Sequence, residues 1–217
     1  MNNWTLKSIQ TAMPQERSDG ERTWLTGIFK TPIEMSVYAS RNGLAGDGVG
    51  DTENHGGVDK AVCCHAWQHH LHWNTYFSWE LQPGAFGENF TITGLSEIDV
   101  CVGDIWQIGS AGFQVSQPRV PCWKQSHKLM QPGFEKLVME TGRSGFYLRV
   151  LADGTVTPGD QIILRERPHS EASLVRLNRA LRESKNMELA EEFAGLEPLA
   201  EAWRSMFMER LDHHLSV

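Results

Sequence analysis

The sequence predicts a mostly β fold, a small closed barrel with a few helices, followed by a small three-helix domain. Three observations support this prediction. Up to residue 166, short apolar stretches alternate with Gly and Pro, only two stretches show a convincing helical pattern, and helical patterns fill the chain after Pro168. Short strands separated by turn residues are typical of β-barrels. We therefore divide the chain into a barrel domain, residues 1–166, and a C-terminal three-helix domain, residues 167–217.

The composition is that of a folded chain without a large charged surface for polyanions. The 217 residues are 40% hydrophobic and 22% charged, and the net charge is −7, which argues against wholesale binding of nucleic acid or anionic membranes. No apolar run approaches the ~20 residues of a membrane span, and the first residues lack the pattern of a signal peptide. Four cysteines without framework spacing are typical of a reducing compartment. We expect a cytoplasmic protein without structural disulfides.

The first third of the chain predicts strands followed by two glycine-rich segments. Apolar stretches at residues 24–29 and 35–38 are interrupted by turn residues, and residues 43–51 contain four glycines, which predict a backbone with positive φ. The segment matches neither a phosphate-binding Walker loop nor a dinucleotide-binding loop. His55-Gly56-Gly57-Val58-Asp59-Lys60 follows. The glycine pair is consistent either with close approach to a ligand or with a tight turn before a buried strand at residues 61–65.

Residues 67–79 predict a helix whose apolar face consists of Leu71, Trp73, Tyr76 and Phe77. Histidines at positions 65, 69, 70 and 72 resemble a metal cluster. The H-E-x-x-H pattern of zinc enzymes is missing, however. We interpret these histidines as solvated groups on the helix.

The middle of the chain predicts further strands. A glycine-rich turn at residues 83–87 opens a strand, and Gly-Asp pairs at 103–104 and 159–160 both precede alternating strands. Such repeated corners fit a small closed barrel. We predict a short helix at residues 134–140, a strand at 145–151, a hairpin at Asp153-Gly154 and a closing strand at 157–164.

The loop at residues 115–122 carries the strongest chemical signal. An apolar strand runs into Gln117-Pro118-Arg119-Val120-Pro121-Cys122, in which the two prolines fix φ and stiffen the loop. A cation beside a cysteine favours its thiolate, which is a soft metal ligand and a nucleophile. The alternative is a buried cysteine in a proline-containing turn.

Three helical patterns follow residue 168. Ser170 and Asn186 are candidate N-caps of the first two, Gly195 ends the second, and Pro198 suits the first position of the third. A three-helix unit could bind DNA, but from residue 169 onward nine acidic residues outnumber six basic ones. This charge argues against phosphate binding and favours a role in packing or in binding a partner.

Five motifs in this order give a family resemblance. They are Gly46-Asp47, residues 55–62, Phe86-Gly87-Glu88-Asn89-Phe90, residues 117–122, and Pro158-Gly159-Asp160. Together they resemble the MOSC domain, named after the C-terminal part of molybdenum cofactor sulfurases. The spacing is similar to that of the compact bacterial, YiiM-like branch, which also ends in three helices. The resemblance covers roughly residues 20–212.

The resemblance implies a barrel of the pyruvate kinase-like kind that binds the molybdenum cofactor, Mo-molybdopterin. Cys122 matches the molybdenum ligand of the family. Family members reduce N-hydroxylated compounds, such as N-hydroxylaminopurines, to amines with electrons from a reductase partner, a flavoprotein or iron–sulfur protein. Sulfurase-linked members instead handle sulfur, so a persulfide carrier on Cys122 is one alternative, and a non-catalytic binding module is another.

The resemblance also selects cofactor-binding residues. Lys60 and Arg119 would bind the anionic groups, since lysine acts as a point charge and arginine as a planar fork. Asn89 can donate and accept hydrogen bonds at pterin edges. Glu88 and Gln117 are further candidates, and His55 is a candidate proton donor in catalysis.

Each candidate has a structural alternative: a surface ion pair for the cations, a turn contact for the amide, and a surface carboxylate for Glu88. We interpret Cys63, Cys64 and Cys101 as core thiols. Larger relatives carry an N-terminal β-domain that helps to cover the cofactor. In this chain the C-terminal helices, or a second subunit in a homodimer, would have to cover it.

Overall fold

The computed structural model describes residues 3–215. The strands are β1 (Thr5–Thr11), β2 (Gln15–Ser18), β3 (Thr23–Thr26), β4 (Thr31–Ile33), β5 (Val37–Ser40), β6 (Gly43–Leu44), β7 (Val62–Ala66), β8 (Phe90–Thr93), β9 (Ile105–Ile108), β10 (Ala111–Pro118), β11 (Phe146–Ala152), β12 (Gly154–Val156) and β13 (Ile162–Glu166). The helices are α1 (Thr52–His55), α2 (Trp67–Phe77), α3 (Trp123–Lys128), α4 (Phe134–Thr141), α5 (Leu174–Arg182), α6 (Met187–Ala194) and α7 (Glu201–Leu215), and Val58–Lys60 forms a 3-10 helix.

Eight strands form one strongly curled mixed sheet in the order β13-β9-β10-β11-β7-β8-β1-β4. Neighbours run antiparallel except for the parallel pair β7 and β8. The sheet curls until β1 meets the segment that leads into β13, where the Leu6 amide donates to the Asp160 carbonyl at 2.9 Å and the Gly159 amide donates to the Leu6 carbonyl at 2.7 Å. The prediction of a barrel-like β fold followed by three helices is confirmed.

The two Gly-Asp corners have the same local structure. At the first, an oxygen of Asp104 accepts a hydrogen bond from the Cys101 amide at 3.0 Å. At the second, an oxygen of Asp160 accepts from the Thr157 amide at 2.8 Å. The glycines before the two aspartates have φ of 89° and 97°. The strands that follow, β9 and β13, pair with each other. The two Gly-Asp pairs in the sequence therefore mark equivalent corners of the barrel.

The predicted hairpin at Asp153-Gly154 is wrong. Only Asp153 separates β11 from β12, and it forms neither a turn nor a bend. Strand β12 pairs with β5 in a separate three-stranded sheet, β12-β5-β6. Both edges of β11 already pair with β10 and β7, so β11 has no free edge for a hairpin partner, and an Asp-Gly pair forms a hairpin only where its two flanking strands can pair.

Between residues 3 and 166 the structure has four α-helices, and the sequence predicted two of them, α2 and α4. Helices α1 and α3 have four and six residues, which is too short for a periodic pattern to be detected. The predicted apolar face of α2 is correct in part. Trp73 is buried and Phe77 packs against the same cluster, whereas Leu71 and Tyr76 are exposed. His69 and His70 are buried as well, because each pairs with a buried glutamate.

The ends of the C-terminal helices match the predictions in part. Asn186 caps α6 as predicted. Ser173 rather than Ser170 caps α5, and α7 begins at Glu201 rather than at Pro198.

Backbone hydrogen bonds join the two parts, among them the Ala200 amide to the Ser116 carbonyl at 3.0 Å, and one hydrophobic cluster contains residues of both. The domain boundary at residue 166 stays a prediction. None of the helices within residues 3–215 has the length and apolar character needed to cross a membrane.

Candidate functional site

A cavity of about 300 Å³ opens beside the end of β10, between the glycine-rich segments and the loop that carries Cys122. Five of the predicted site residues line it: His55, Lys60, Asn89, Arg119 and Cys122. The sequence motifs, which are up to 67 positions apart (His55 to Cys122), therefore meet at one place. A cavity of this size is within the range of small-molecule sites.

The glycines around the cavity are needed for two different reasons. Gly43 and Gly46 have φ of 111° and 79°, as predicted. Gly48 and Gly50 have no positive φ, and for them the prediction is wrong. They are needed for close packing, since a Cβ at Gly50 would lie 2.4 Å from the Leu25 carbonyl oxygen. The segment can therefore lie directly against β3, which contributes to the same cavity wall.

Four cationic side chains line the cavity, and two of them are paired with carboxylates. Lys30 contacts Asp47 in an ion pair. Lys124 lies with its Nζ 3.5 Å from an oxygen of Asp51. These two pairs leave Lys60 and Arg119 to supply the uncompensated positive charge of the cavity.

Lys60 is half-buried and donates to a neutral group, the Asn54 carbonyl oxygen, at 2.7 Å. Burial lowers the pKa of Lys60, since a low-dielectric environment disfavours the ammonium form. Over residues 3–215 no carboxylate lies within 4 Å of its Nζ. An anion bound in the cavity would therefore stabilise the ammonium form of Lys60.

Arg119 is buried, with 6% of its surface exposed. Its Nη2 donates to the Phe86 carbonyl oxygen at 2.7 Å. Turned with its oxygen toward the guanidinium, the Gln125 amide accepts from both terminal nitrogens at 3.3 Å. In the part of the chain that the structure describes, no carboxylate forms an ion pair with Arg119. The structure thus holds a permanent positive charge inside the protein with only neutral hydrogen-bond partners.

Cys122 lies between two cavities. It is half-buried, it directly precedes α3, and it lines the first cavity as well as a second one of about 450 Å³. Gln117 lines only the second cavity. The Cys122 sulfur therefore faces a cationic cavity on one side and a second cavity on the other. This position would allow it to act as a ligand or nucleophile between two bound molecules.

His55 also lines both cavities. Burial and the nearby charges of Lys124 and Arg119 lower its pKa. This environment favours the neutral ring, and its imidazolium form releases a proton readily.

Asn89 is fully engaged by the protein. Its Oδ1 accepts from the Cys63 amide at 3.0 Å, and its Nδ2 donates to the Gln10 carbonyl at 3.2 Å and to Asp47 at 2.8 Å. These contacts join β1, β7 and the glycine-rich segment, so Asn89 holds the cavity floor together. Any contact it makes with a ligand is additional to this structural role.

Glu88 does not line either cavity. It is fully buried and lies 3.0 Å from Nε2 of His70, while it accepts from the Gly84 and Phe86 amides at 2.7 and 3.1 Å. Burial opposes its charge, but the His70 and Gly84 hydrogen bonds outweigh burial and lower the pKa of Glu88. Neither predicted alternative, a cofactor ligand or a surface carboxylate, describes this environment. Glu88 instead fixes the turn whose Phe86 carbonyl holds Arg119.

The interpretation of the histidines as solvated is wrong for positions 65, 69 and 70. His69 pairs with Glu97 at 2.6 Å, and His65 is buried against the Phe86 ring at 4.3 Å between centroids, with its Nδ1 unpartnered. Burial lowers the pKa of His65 well below its usual range. Among the described residues, no set of three or more His, Cys, Asp or Glu is arranged to hold a metal ion.

Sequence reasoning missed several lining residues, notably Tyr147, Lys124 and Cys63. Tyr147 lies on β11 and lines both cavities, and burial raises its pKa. Nothing in its strand marks it as functional. Lys124 lies two positions after Cys122, and extending the loop motif by those two positions would have found it. Cys63, Cys64 and Cys101 are buried free thiols, as predicted, but Cys63 also reaches the cavity.

The comparison with known families agrees with this geometry. Residues 51–163 match the model of the MOSC domain, and every site residue predicted from the sequence lies inside this span. The chain belongs to the MOSC domain family. The MOSC chain is 38% identical to YflK of Bacillus subtilis over 99% of its own length and 97% of that protein.

Two further relatives extend this comparison. The crystal structure of YiiM from Geobacillus stearothermophilus has a TM-score of 0.82 and 35% identity, and the match covers 96% of this chain and 99% of that one. A protein named "Reductase" from Gibberella moniliformis is 32% identical over 86% of this chain. The match spans 34% of that fungal protein. The resemblance to the YiiM-like branch is therefore confirmed.

Proposed function

We propose that this MOSC protein binds Mo-molybdopterin in the first cavity and reduces N-hydroxylated compounds to amines. The observation that carries the proposal is the juxtaposition of Cys122 with two cations, Lys60 and Arg119, that have no carboxylate partner within the described chain. The family membership and the name of the fungal relative support a reductive, cofactor-dependent activity.

The residues present fit this cofactor. Molybdopterin is anionic through its phosphate and its dithiolene sulfurs, and a buried guanidinium without a counter-ion suits such a ligand. Arg119 and Lys60 would bind the anionic groups. Cys122 would ligate molybdenum, since thiolates are soft ligands for such metals. The cofactor, when bound, supplies the two-electron redox chemistry.

The protein supplies position, charge and protons. In the reaction R–NH–OH + 2 e⁻ + 2 H⁺ → R–NH₂ + H₂O, the N–O bond breaks and the oxygen leaves as water. His55 lines both cavities beside Cys122, where it would pass one of the two protons to the substrate. We propose that a separate flavoprotein or iron–sulfur protein delivers the electrons.

Elemental analysis of purified protein tests the proposal. Wild type and Cys122→Ala are purified from a host that makes the cofactor, with Cys101→Ala as the matched control, because Cys101 is a buried thiol outside both cavities. We expect equimolar molybdenum and pterin fluorescence in wild type and in Cys101→Ala, and loss of the molybdenum in Cys122→Ala. Wild type that lacks molybdenum and pterin but carries a cyanide-labile sulfur on Cys122 would overturn the proposal in favour of a sulfur carrier.

A further inference from the structure

The first cavity receives no cover from the C-terminal helices. Within residues 3–215, no residue after Tyr147 lines this cavity, whereas α5 and α7 line only the second one. The end of β3 and the residues that follow it, Thr26, Gly27 and Ile28, do line the first cavity. The hairpin formed by β2 and β3 therefore lies at the rim of the first cavity.

This hairpin is not part of the barrel. Strands β2 and β3 form a sheet of their own, residues 15–23 are all exposed, and Trp24 belongs to neither hydrophobic cluster of the described chain. A two-stranded hairpin is marginally stable by itself. Contacts at its sides must therefore fix its position.

Strand β3 lies between two walls of the first cavity. On one side it packs so closely against the glycine-rich segment that a Cβ at Gly50 would lie 2.4 Å from the Leu25 carbonyl oxygen. On the other side the Trp24 ring meets the Trp123 ring edge-on, with 5.1 Å between centroids. Gly50 lines the cavity, and Trp123 directly follows Cys122, which lines it as well. The hairpin thus joins the two walls across the rim.

The contacts between the hairpin and α3 are all of one weak kind. Trp24 also meets His127 edge-on at 4.8 Å between centroids, and the Arg22 guanidinium lies 4.2 Å from the centroid of the Trp123 ring. Within the described chain, no hydrogen bond or ion pair joins residues 15–25 to α3. Aromatic and cation–π contacts at exposed sites are individually weak, so this joint can open without unfolding of the barrel.

The base of the hairpin is held by hydrogen bonds instead. The Gly48 amide donates to the Ala12 carbonyl, just before β2, at 3.0 Å. The Lys128 ammonium donates to the Ile28 carbonyl, just after β3, at 2.8 Å. Movement of the hairpin would therefore be confined to the part beyond this base, residues 15–25.

We infer that the β2–β3 hairpin is a flap over the rim of the first cavity and that the contacts of Trp24 and Arg22 with α3 are its latch. With the latch closed, β3 and α3 meet and separate the cavity from solvent at this rim. With the latch broken, the strand moves away from α3 and the cavity opens. The flap would thereby set the rate at which the anionic cofactor leaves, a role that rests on the proposed function.

Labelling of cysteines with N-ethylmaleimide tests the flap in cofactor-free protein. Cys63 is buried and lines only the first cavity, so it reports the opening of that cavity. Cys64 and Cys101 are buried outside both cavities, so they report unfolding. Tandem mass spectrometry gives the labelling rate at each cysteine.

Three variants separate the latch from general destabilisation. Trp24→Ala removes the ring contacts of the latch, and Trp24→Phe keeps an aromatic ring. Trp79→Ala is the matched control, since Trp79 is also half-buried and stacks on Phe77 at 4.2 Å, outside both cavities. We expect the labelling rate of Cys63 to rise at least about fivefold in Trp24→Ala, less in Trp24→Phe and not in Trp79→Ala.

Two results would overturn the inference. One is an equal labelling rate of Cys63 in wild type and in Trp24→Ala. The other is a rise that Cys64 and Cys101 share with Cys63, since it would report global unfolding rather than opening of a flap.

The half-time of molybdenum loss during dialysis tests the role in retention. In protein from a cofactor-producing host, we expect Trp24→Ala to lose molybdenum at least about fivefold faster than wild type and Trp79→Ala. Faster labelling of Cys63 without faster loss of molybdenum would overturn this role. If wild type contains no molybdenum, the proposed function fails, and the labelling of Cys63 still decides whether the flap exists.

Discussion

Arg119 is the residue that most directly supports the proposed anion site in the first cavity. A guanidinium cannot lose its proton in a protein, and moving a charge out of water costs several kcal/mol even after relaxation. Arg119 nevertheless lies buried with hydrogen bonds to neutral groups, such as the Phe86 carbonyl at 2.7 Å. Folding alone does not benefit from such an arrangement. Binding of an anion does, since the charge is already in place and partly desolvated.

Replacing this charge separates stability from binding. In Arg119→Met, the unfolding free energy of the cofactor-free protein should be unchanged or higher by about 1 kcal/mol, since an apolar side chain of similar length replaces a buried charge. The molybdenum content of protein from a cofactor-producing host should fall at least about tenfold, equivalent to about 1.4 kcal/mol of binding. Urea unfolding and elemental analysis measure the two effects.

Arg167 is the control, because it makes an ion pair outside both cavities. It donates to both oxygens of the buried Asp104, at 2.7 and 2.6 Å. Arg167→Met leaves that carboxylate unpaired and should destabilise the protein by about 2 kcal/mol with the molybdenum content unchanged. If Arg119→Met destabilises the cofactor-free protein as much as Arg167→Met does, Arg119 is a structural residue.

The sequence could predict those site residues that lie in short motifs. Lys60, Arg119 and Cys122 each lie within a few residues of glycines or prolines that shape the backbone locally, so the motif contains the information. The sequence predicts Glu88 as a ligand or a surface carboxylate, whereas the structure has it buried. Its motif does not reveal this environment, because its partner His70 lies on α2, 18 positions earlier. Tyr147 could not be found, since it reaches the cavity only through the pairing of β11 with its neighbours.

The same limit applies to whole elements. The extent of α2 follows from local composition, but its buried face depends in part on acidic partners from other segments, so hydrophobic periodicity identified Trp73 and missed His69 and His70. Asp153-Gly154 predicts a hairpin, but the chain passes from β11 to β12 without a turn, and the pairing of β12 with β5 depends on which strand edges are free. Local chemistry sets where an element begins and ends, and tertiary contacts set what it faces.

The glycine-rich segment links the packing of β3 to the shape of the cavity. In Gly50→Ala, the new Cβ would lie 2.4 Å from the Leu25 carbonyl oxygen, so either β3 or the segment must move. We expect a loss of about 1–3 kcal/mol in the unfolding free energy and lower molybdenum retention, because Gly50 and Thr26 both line the cavity. Urea unfolding and metal analysis measure both.

Gly195→Ala serves as the control for Gly50→Ala. A Cβ at Gly195 meets no atom within 4 Å, and its φ of −89° is accessible to any residue. The unfolding free energy of Gly195→Ala should remain within about 0.5 kcal/mol of that of wild type. Equal stability of the two variants, with full molybdenum retention in Gly50→Ala, would show that the close packing at Gly50 does not shape the site.

At the scale of the whole molecule, the helices and the barrel are expected to unfold together. Leu177 on α5 is fully buried in the hydrophobic cluster that also contains Val115 on β10 and Trp106 on β9. The segment before α5 pairs with the barrel through a bridge between Cys101 and Ser173. A helical domain that folded on its own would leave this apolar surface of the barrel exposed. The parts of the chain on the two sides of residue 166 therefore share one core.

Leu177→Ala tests this coupling. Removing the buried side chain should lower the free energy of opening by about 3 kcal/mol, and hydrogen exchange should show the same decrease for the slowest amides of β10 and of α5, since both would exchange through global unfolding. Leu71→Ala is the control, because Leu71 is 50% exposed on α2 and its loss should change stability by no more than about 0.5 kcal/mol. A decrease confined to the C-terminal helices would show that they fold as an independent domain. In that case the helical wall of the second cavity, which α5 and α7 supply, would unfold separately from the barrel.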